Sequence, residues 1–410
     1  MEAGRVGSDM TLIFVSIYPF NDDYAVKYGF DILKKRGFNI TILHVLNILY
    51  PKNIVKELSH YNKLVPIAGI EQVCVKTWKD LKKYLDLIKG WRMVFLVVSP
   101  DLRLLKIFKR LSISYVMMFL NVQPAMFVEG EKFWSRFFRV VKRLLNDPVN
   151  YFSAFMLHRL PYTLLGIDYP KYVVLGSKIS NYRFPLSKKQ VICAHSFDYD
   201  RYLRNKNIPK PGYIPEGDYY VHLACPPWYT HDYVVMGVVP ELSKEEYARI
   251  INNFYDFVEK KTGIKVVIAT HPKHTEKENV YGGRPYLHYS TEQLIKYSSG
   301  VFCHYSGAIK FAVIHRKPIC FTSSRKTKTD VYFQGNIKAY SSCLKAEINY
   351  IDNNEDWQKL LDKGFFYYDK ESYEVYERNY ITINRSEERF LWDIVADALI
   401  EREKQECRRI

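Results

Sequence analysis

No apolar run in this 410-residue sequence approaches the ~20 residues that a membrane-spanning helix needs. The longest runs, such as Met93–Val98, are the length of a strand. Met1–Met10 lacks the apolar core of a signal peptide, and Met10 is a reasonable natural start with residues 1–9 a leader. Cysteines are few and odd in number, seven, with no C-x-x-C pair, so neither a disulfide framework nor a zinc site is expected and the thiols read as reduced in a cytoplasmic protein. The chain has no internal repeat and no low-complexity segment. It has no G-x-G-x-x-G after its first strand and no RNA-recognition signature, which argues against a dinucleotide fold of the usual kind and against nucleic acid as a partner.

What is present is positive charge and tyrosine. The formal net charge is +16, with 34 tyrosines. Such a balance favours anionic partners, either phosphorylated ligands or an anionic membrane surface. A hydrophobic content of 48% and a charged content of 25% are ordinary for a globular protein, and the length suits two or three domains.

Short apolar runs alternate with helical patterns. Thr11–Ile17, Asn39–Leu43, Met93–Val98, Ile113–Leu120, Tyr172–Leu175 and Gln190–Ala194 read as strands of a first domain, and Tyr24–Lys35 as its first helix, stopped at Gly37. Lys206–Gly217 is rich in Pro, Lys and Gly and reads as a linker. Tyr219–Ala224 then opens a second domain, with a capped helix from Ser243. Three further strands each end in a polar cluster. Val266–Ala269 stops at Thr270-His271-Pro272-Lys273-His274. Gly300–Cys303 stops at His304-Tyr305-Ser306-Gly307-Ala308, and Pro318–Phe321 at Thr322-Ser323-Ser324. That is the pattern of an α/β fold with parallel sheets, whose ligands lie beyond the carboxyl ends of the strands. The expected architecture is two Rossmann-like domains facing across a cleft. They span 10–211, with a helical insertion at about 124–165, and 212–385. A terminal helix, 386–410, is placed to pack back on the first.

The insertion interleaves Phe127, Phe133, Trp134, Phe137, Phe138, Phe152 and Phe155 with Lys132, Arg136, Arg139, Lys142 and Arg143. It reads either as an interfacial helix on anionic lipid, placing the protein peripherally at the inner face of a membrane, or as an ordinary insertion with a solvated basic side. Asp198-x-Asp200 is formally a D-x-D pair of the kind that holds a divalent metal. Helix capping and charge pairing with Arg201 or Arg204 explain it better.

The order His271-Pro272, Thr291-Glu292-Gln293-Leu294-Ile295, Ser298, His304-Tyr305-Ser306-Gly307-Ala308, Lys317-Pro318 resembles the nucleotide-sugar half of GT-B glycosyltransferases, most of all bacterial enzymes of capsule and lipopolysaccharide assembly. The His-Pro pair is similar to the one by which sialyltransferases and Kdo transferases hold a CMP-sugar. Lys27-Tyr28-Gly29-Phe30-Asp31, Ser196-Phe197-Asp198-Tyr199-Asp200 and Gly282-Gly283-Arg284 agree with the same resemblance.

The resemblance implies a metal-independent, cofactor-free glycosyltransferase. Its donor is a nucleotide-sugar, such as CMP-linked Kdo or a nonulosonate, and its acceptor a glycan or lipid-linked glycan. Donor residues are then His271, Pro272, Lys273, Thr291, Tyr305, Ser306, Gly307 and Ser323, with the helix after Ser306 offering free N–H groups to phosphate. His274 and His304 are equally well read as structural. The ribose-binding Glu that many such enzymes carry after this segment is missing, Lys310 standing in that helix. The general base stays open among Asp22, Asp23, His231 and Asp232. Two other classes fit the same composition: a polyol-phosphate transferase or sugar-nucleotide epimerase with a similar second half, and a basic RNA- or membrane-binding module without turnover.

Overall fold

A computed structural model describes the chain except residues 1–9, 60–63, 89–91, 127–140, 142–143, 146, 180–183, 226–227, 229–239, 271–278, 289, 385–387 and 408–410. The chain divides into two compact units, one of Met1–Val122, Val140–Leu203 and Thr382–Ile410, the other of Gln123–Arg139 and Arg204–Ile381.

Among the described residues the first unit holds seven strands: β1 (Thr11–Ser16), β2 (Asn39–His44), β3 (Glu71–Cys74), β4 (Arg92–Leu96), β5 (Ser114–Phe119), β6 (Tyr172–Leu175) and β7 (Val191–Cys193). They form one parallel sheet in the order β3-β2-β1-β4-β5-β6-β7. Leu12 and Phe14 of β1 enter one core, and Ile13 and Val15 enter the other. A strand covered on both faces has no polar side to show, so its sequence is a continuous apolar run.

The core that takes Leu12 and Phe14 is closed by the last helix, Leu391–Cys407. Leu391, Trp392, Val395, Ala396 and Leu399 recur at helical spacing and are fully buried there. Two polar contacts fix the start of this helix. The Leu391 N–H donates to the Asp200 carboxylate at 2.6 Å, and the Trp392 indole N–H donates to the Lys27 carbonyl at 3.0 Å. Asp200, the second member of the D-x-D pair, thus satisfies a helix N-terminus.

The single helix read at Tyr24–Lys35 is two, Asp22–Lys27 and Phe30–Lys35. The break is Gly29, at φ 59°, and a Cβ there would lie 2.3 Å from the Trp392 ring. The chain steps out of the helix at that point to let the indole against its backbone. Gly29→Ala should therefore lower unfolding stability by about 2–5 kcal/mol, the sum of a left-handed alanine and an overpacked contact. Denaturant titration checks this, and a loss below about 0.5 kcal/mol, the range of neutral surface changes, would contradict the packing account.

The second unit holds β8 (Tyr219–Leu223), β9 (Lys265–Ala269), β10 (Tyr286–Leu287), β11 (Gly300–Cys303), β12 (Ile319–Ser323) and β13 (Ile348–Tyr350) among its described residues. Their order is β10-β9-β8-β11-β12-β13, all parallel. The helix Lys244–Thr262 covers one face. Ser243 caps it, Gly263 ends it at φ 72°, and Tyr247, Ile250, Ile251, Phe254, Tyr255 and Val258 form its buried stripe. Gly282-Gly283-Arg284 belongs to this packing. The buried Arg284 guanidinium bonds Asn252, Asp256 and Glu259 of that helix and lies over the Tyr255 ring. The two glycines take φ 63° and 76° to turn it inward.

Candidate donor site at the carboxyl edge of the second sheet

In the second sheet the chain winds outward from β8 through β9 to β10, then returns to β11 on the other side of β8. Connections therefore diverge at β8 and β11, and an open parallel sheet offers its ligand crevice beyond the carboxyl ends of such a pair.

The floor of that place is a buried polar cluster. His222 lies in β8, His304 directly follows β11, and Tyr247 reaches them from the helix Lys244–Thr262. All three are buried. The Thr322 carbonyl can only accept, so His304 Nδ1 carries the proton it donates to that oxygen at 2.6 Å. His304 Nε2 is then an acceptor, and the Tyr247 hydroxyl donates to it at 2.9 Å. The Tyr247 oxygen lies 3.4 Å from His222 Nε2 and can accept from it. Both ring nitrogens of His304 are used, which makes it part of the scaffold.

Burial pushes the His304 pKa down to about 4. Burial first, and then the neighbouring His304, also hold His222 well below the ordinary histidine range. Both imidazoles are neutral in the folded chain, while an unfolded histidine titrates near ~6.5. The unfolded state therefore binds more protons below that pH. The stabilisation is complete above it and is lost as pH falls toward 4, on the order of 3 kcal/mol for His304 alone. Unfolding free energy measured from pH 7 to pH 4 should fall, and His304→Asn should make the fall shallower. An unchanged slope would contradict the neutral buried pair.

Above this floor runs the turn after β11. Tyr305 is buried, its ring edge-on to Tyr332 and Phe333. Ser306, Gly307 and Ala308 are half-buried and form the accessible part of the turn. The following helix, Ile309–Ile314, is only six residues long. Its first N–H groups already have partners: Ala308 to Ser306 Oγ at 3.2 Å, Ile309 to Ser306 O at 3.1 Å, and Lys310 to Gly307 O at 3.3 Å. The free helix N-terminus expected after Ser306 is thus not available, and what the turn presents is Ser306 and Gly307. A Cβ on Gly307 would meet the Gln123 side-chain amide at 3.1 Å. Gln123 is exposed and belongs with the second unit, although it is about 180 positions away in sequence. No local pattern marked it.

Other expected residues sit as follows. Thr291 is half-buried and opens the helix Thr291–Tyr297. Beside it Glu292 is fully buried, bonded to His315 at 3.2 Å and to the Asn205 amide. Ser323 ends β12 with about 1% exposure, and its hydroxyl accepts from Gln334. Arg325, in the basic loop, is forked onto Asp356. Asp22 and Asp23 are exposed in the first turn of their helix, behind the Asn21 cap. His271, Pro272, Lys273, His274, His231 and Asp232 lie outside the described residues. Among the described residues no three His, Cys, Asp or Glu side chains come together as a metal site would require.

Neither a protein-family model nor a curated protein matches the sequence. Solved structures do match. The wall teichoic acid polymerase TagF, as its H444N variant, aligns over 98% of this chain and 90% of its own at 14% identity, with a TM-score of 0.54. The same variant with CDPG, after a 15 minute soak, aligns over 97% and 89% at 14% identity and TM-score 0.53. UDP-GlcNAc 2-epimerase from Methanocaldococcus jannaschii aligns over 90% and 98% at 12% identity and TM-score 0.45. The likeness to TagF is one of fold. It spans both parallel-sheet units and is of the GT-B type.

Proposed function

We propose that this chain is a GT-B-type glycosyltransferase that moves a sugar from a nucleotide donor onto a glycan or lipid-linked glycan of a surface polymer. The observation that carries the reading is the Ser306–Ala308 turn. Among the described residues it is the accessible polar part of the second sheet where the connections diverge from β8 and β11, in a chain that shares its fold with a polymerase over nearly its whole length.

In such a transfer the acceptor hydroxyl attacks the anomeric carbon while the bond from that carbon to the donor phosphate oxygen breaks. Negative charge develops on the departing phosphate, and the hydroxyl proton must leave. Ser306 Oγ, the Gly307 main chain, and Lys273 with His271 beyond β9 are the groups assigned to that charge. Thr291, Tyr305, Pro272 and Ser323 shape or support the donor side. The proton goes to one of Asp23, Asp22, His231 and Asp232, with Asp23 and its neighbour Asp22 placed first because both are exposed in the segment that follows β1. Asp200 is engaged with the last helix, so the D-x-D pair is not assigned to a metal, and turnover is expected to survive EDTA.

TagF is described as a polymerase of wall teichoic acid and was soaked with CDPG, which favours a second reading: transfer of a polyol phosphate. There the acceptor oxygen attacks phosphorus, and a phosphorus–oxygen bond breaks. The two readings differ in product. A sugar leaving an NDP-sugar releases the nucleoside diphosphate, whereas polyol-phosphate transfer releases the monophosphate. A CMP-sugar, as the His271-Pro272 resemblance suggests, also releases the monophosphate, and its acidic sugar then appears on the acceptor.

Incubation with UDP-, GDP- and CDP-linked donors and CMP-sugars, followed by nucleotide chromatography and mass analysis of the acceptor, tests the proposal. No acceptor-dependent nucleotide release from any donor would overturn both readings. Asp23→Asn should leave nucleotide affinity intact and lower turnover about 10²–10⁴-fold if it is the base. His271→Ala should weaken nucleotide binding by roughly 1–3 kcal/mol in calorimetry, and unchanged affinity would remove it from the site.

A further inference from the structure

The helix Pro148–Arg159, in the first unit, packs Met156 and Leu157 on the core and still carries a second, outward apolar stripe. Two of the helix's polar side chains bond into the protein. Ser153 is buried and its hydroxyl accepts from the Leu102 N–H at 2.8 Å. Asn150 donates to the Leu49 carbonyl at 2.8 Å and accepts from Arg103 at 2.9 Å. The outward stripe is made of three apolar side chains. Val149, Phe152 and Phe155 recur at three-residue spacing on one side and are 49%, 58% and 49% exposed. An ordinary surface helix keeps its apolar stripe against the core and shows polar residues outside. Beyond the two ends of the helix Leu145 and Leu164 are also exposed, at 76% and 75%.

Charge chooses the occupant. No acidic residue stands between Asp147 and Asp168, whereas His158 and Arg159 are exposed at the end of the stripe. The Arg159 guanidinium lies over the Phe155 ring at 5.9 Å. A basic group beside protruding rings, on a chain of net charge +16, fits a surface that is apolar inside and anionic outside.

We propose that this helix is a membrane-docking face, laid in the plane of an anionic phospholipid bilayer with Phe152 and Phe155 inserted between headgroups. The inference is independent of the reaction proposed above, but it would bring the first unit to a lipid-linked acceptor.

The test is co-sedimentation of the full chain with vesicles of phosphatidylcholine alone and of equal parts phosphatidylcholine and phosphatidylglycerol. The wild type should partition onto the anionic vesicles, and less so in high salt. Phe152→Ser and Phe155→Ser should each reduce partitioning by about tenfold, since burying one such ring is worth a little more than that factor. Arg159→Glu should reduce it further on the anionic vesicles only. Phe152→Trp supplies a second readout, because its fluorescence should shift to the blue on adding anionic vesicles. No partitioning of the wild type, or equal partitioning of the serine variants with no fluorescence shift, would overturn the proposal. So would a concentration-dependent dimer, seen by analytical ultracentrifugation, that the serine variants abolish without any vesicle binding.

Discussion

Covering both faces of a parallel sheet leaves the backbone one way out, at the strand ends. That constraint organises both units. The interior strands β1, β4, β8 and β11 are packed above and below, so apolar side chains fill most of their length, His222 in β8 being an exception, and polar ones gather where they stop. In the second unit this concentrates His304 and Ser306 beyond β11, and Thr322 and Ser323 in the last two positions of β12. Most of them are then consumed by the structure itself. His304 and Thr322 bond to each other's neighbourhood, and Ser323 serves Gln334. A polar residue at a strand end is thus only a candidate, and its exposure decides whether a ligand can use it. Ser306 and Gly307 pass that filter.

The same constraint explains what was legible in the sequence. Interior strands were readable because two-sided burial writes them as unbroken apolar runs. The edge strands β3, β10 and β13 went unread, being short and half-exposed, with no run and little alternation. The helix Val331–Cys343 was missed for the opposite reason. Phe333, Gln334, Gly335, Ile337, Ala339, Tyr340 and Ser341 are all buried, so no polar face marks the period. In Lys370–Tyr380 the buried stripe is built from Tyr373, Tyr376 and Tyr380, a residue type equally at home on a surface.

Motifs behaved differently from elements. Lys27-Tyr28-Gly29-Phe30-Asp31 and Gly282-Gly283-Arg284 were picked out by resemblance, and the structure gives each a packing role. The first admits Trp392, and the second turns Arg284 into the helix Lys244–Thr262. A glycine required by a neighbouring side chain looks the same in sequence as a glycine required by a ligand. Gln123 is the converse case, a side chain beside Gly307 with no local signature at all. Long-range placement of this kind cannot be read from spacing.

The central claim is that a donor nucleotide seats at the turn after β11. Hydrogen exchange followed by mass spectrometry, with and without saturating CMP, CDP, UDP or GDP, tests it most directly. The account predicts that at least one nucleotide slows exchange in peptides spanning Cys303–Ala308, with the first-unit sheet unaffected. Protection confined to the first unit, or none from any nucleotide, would contradict it.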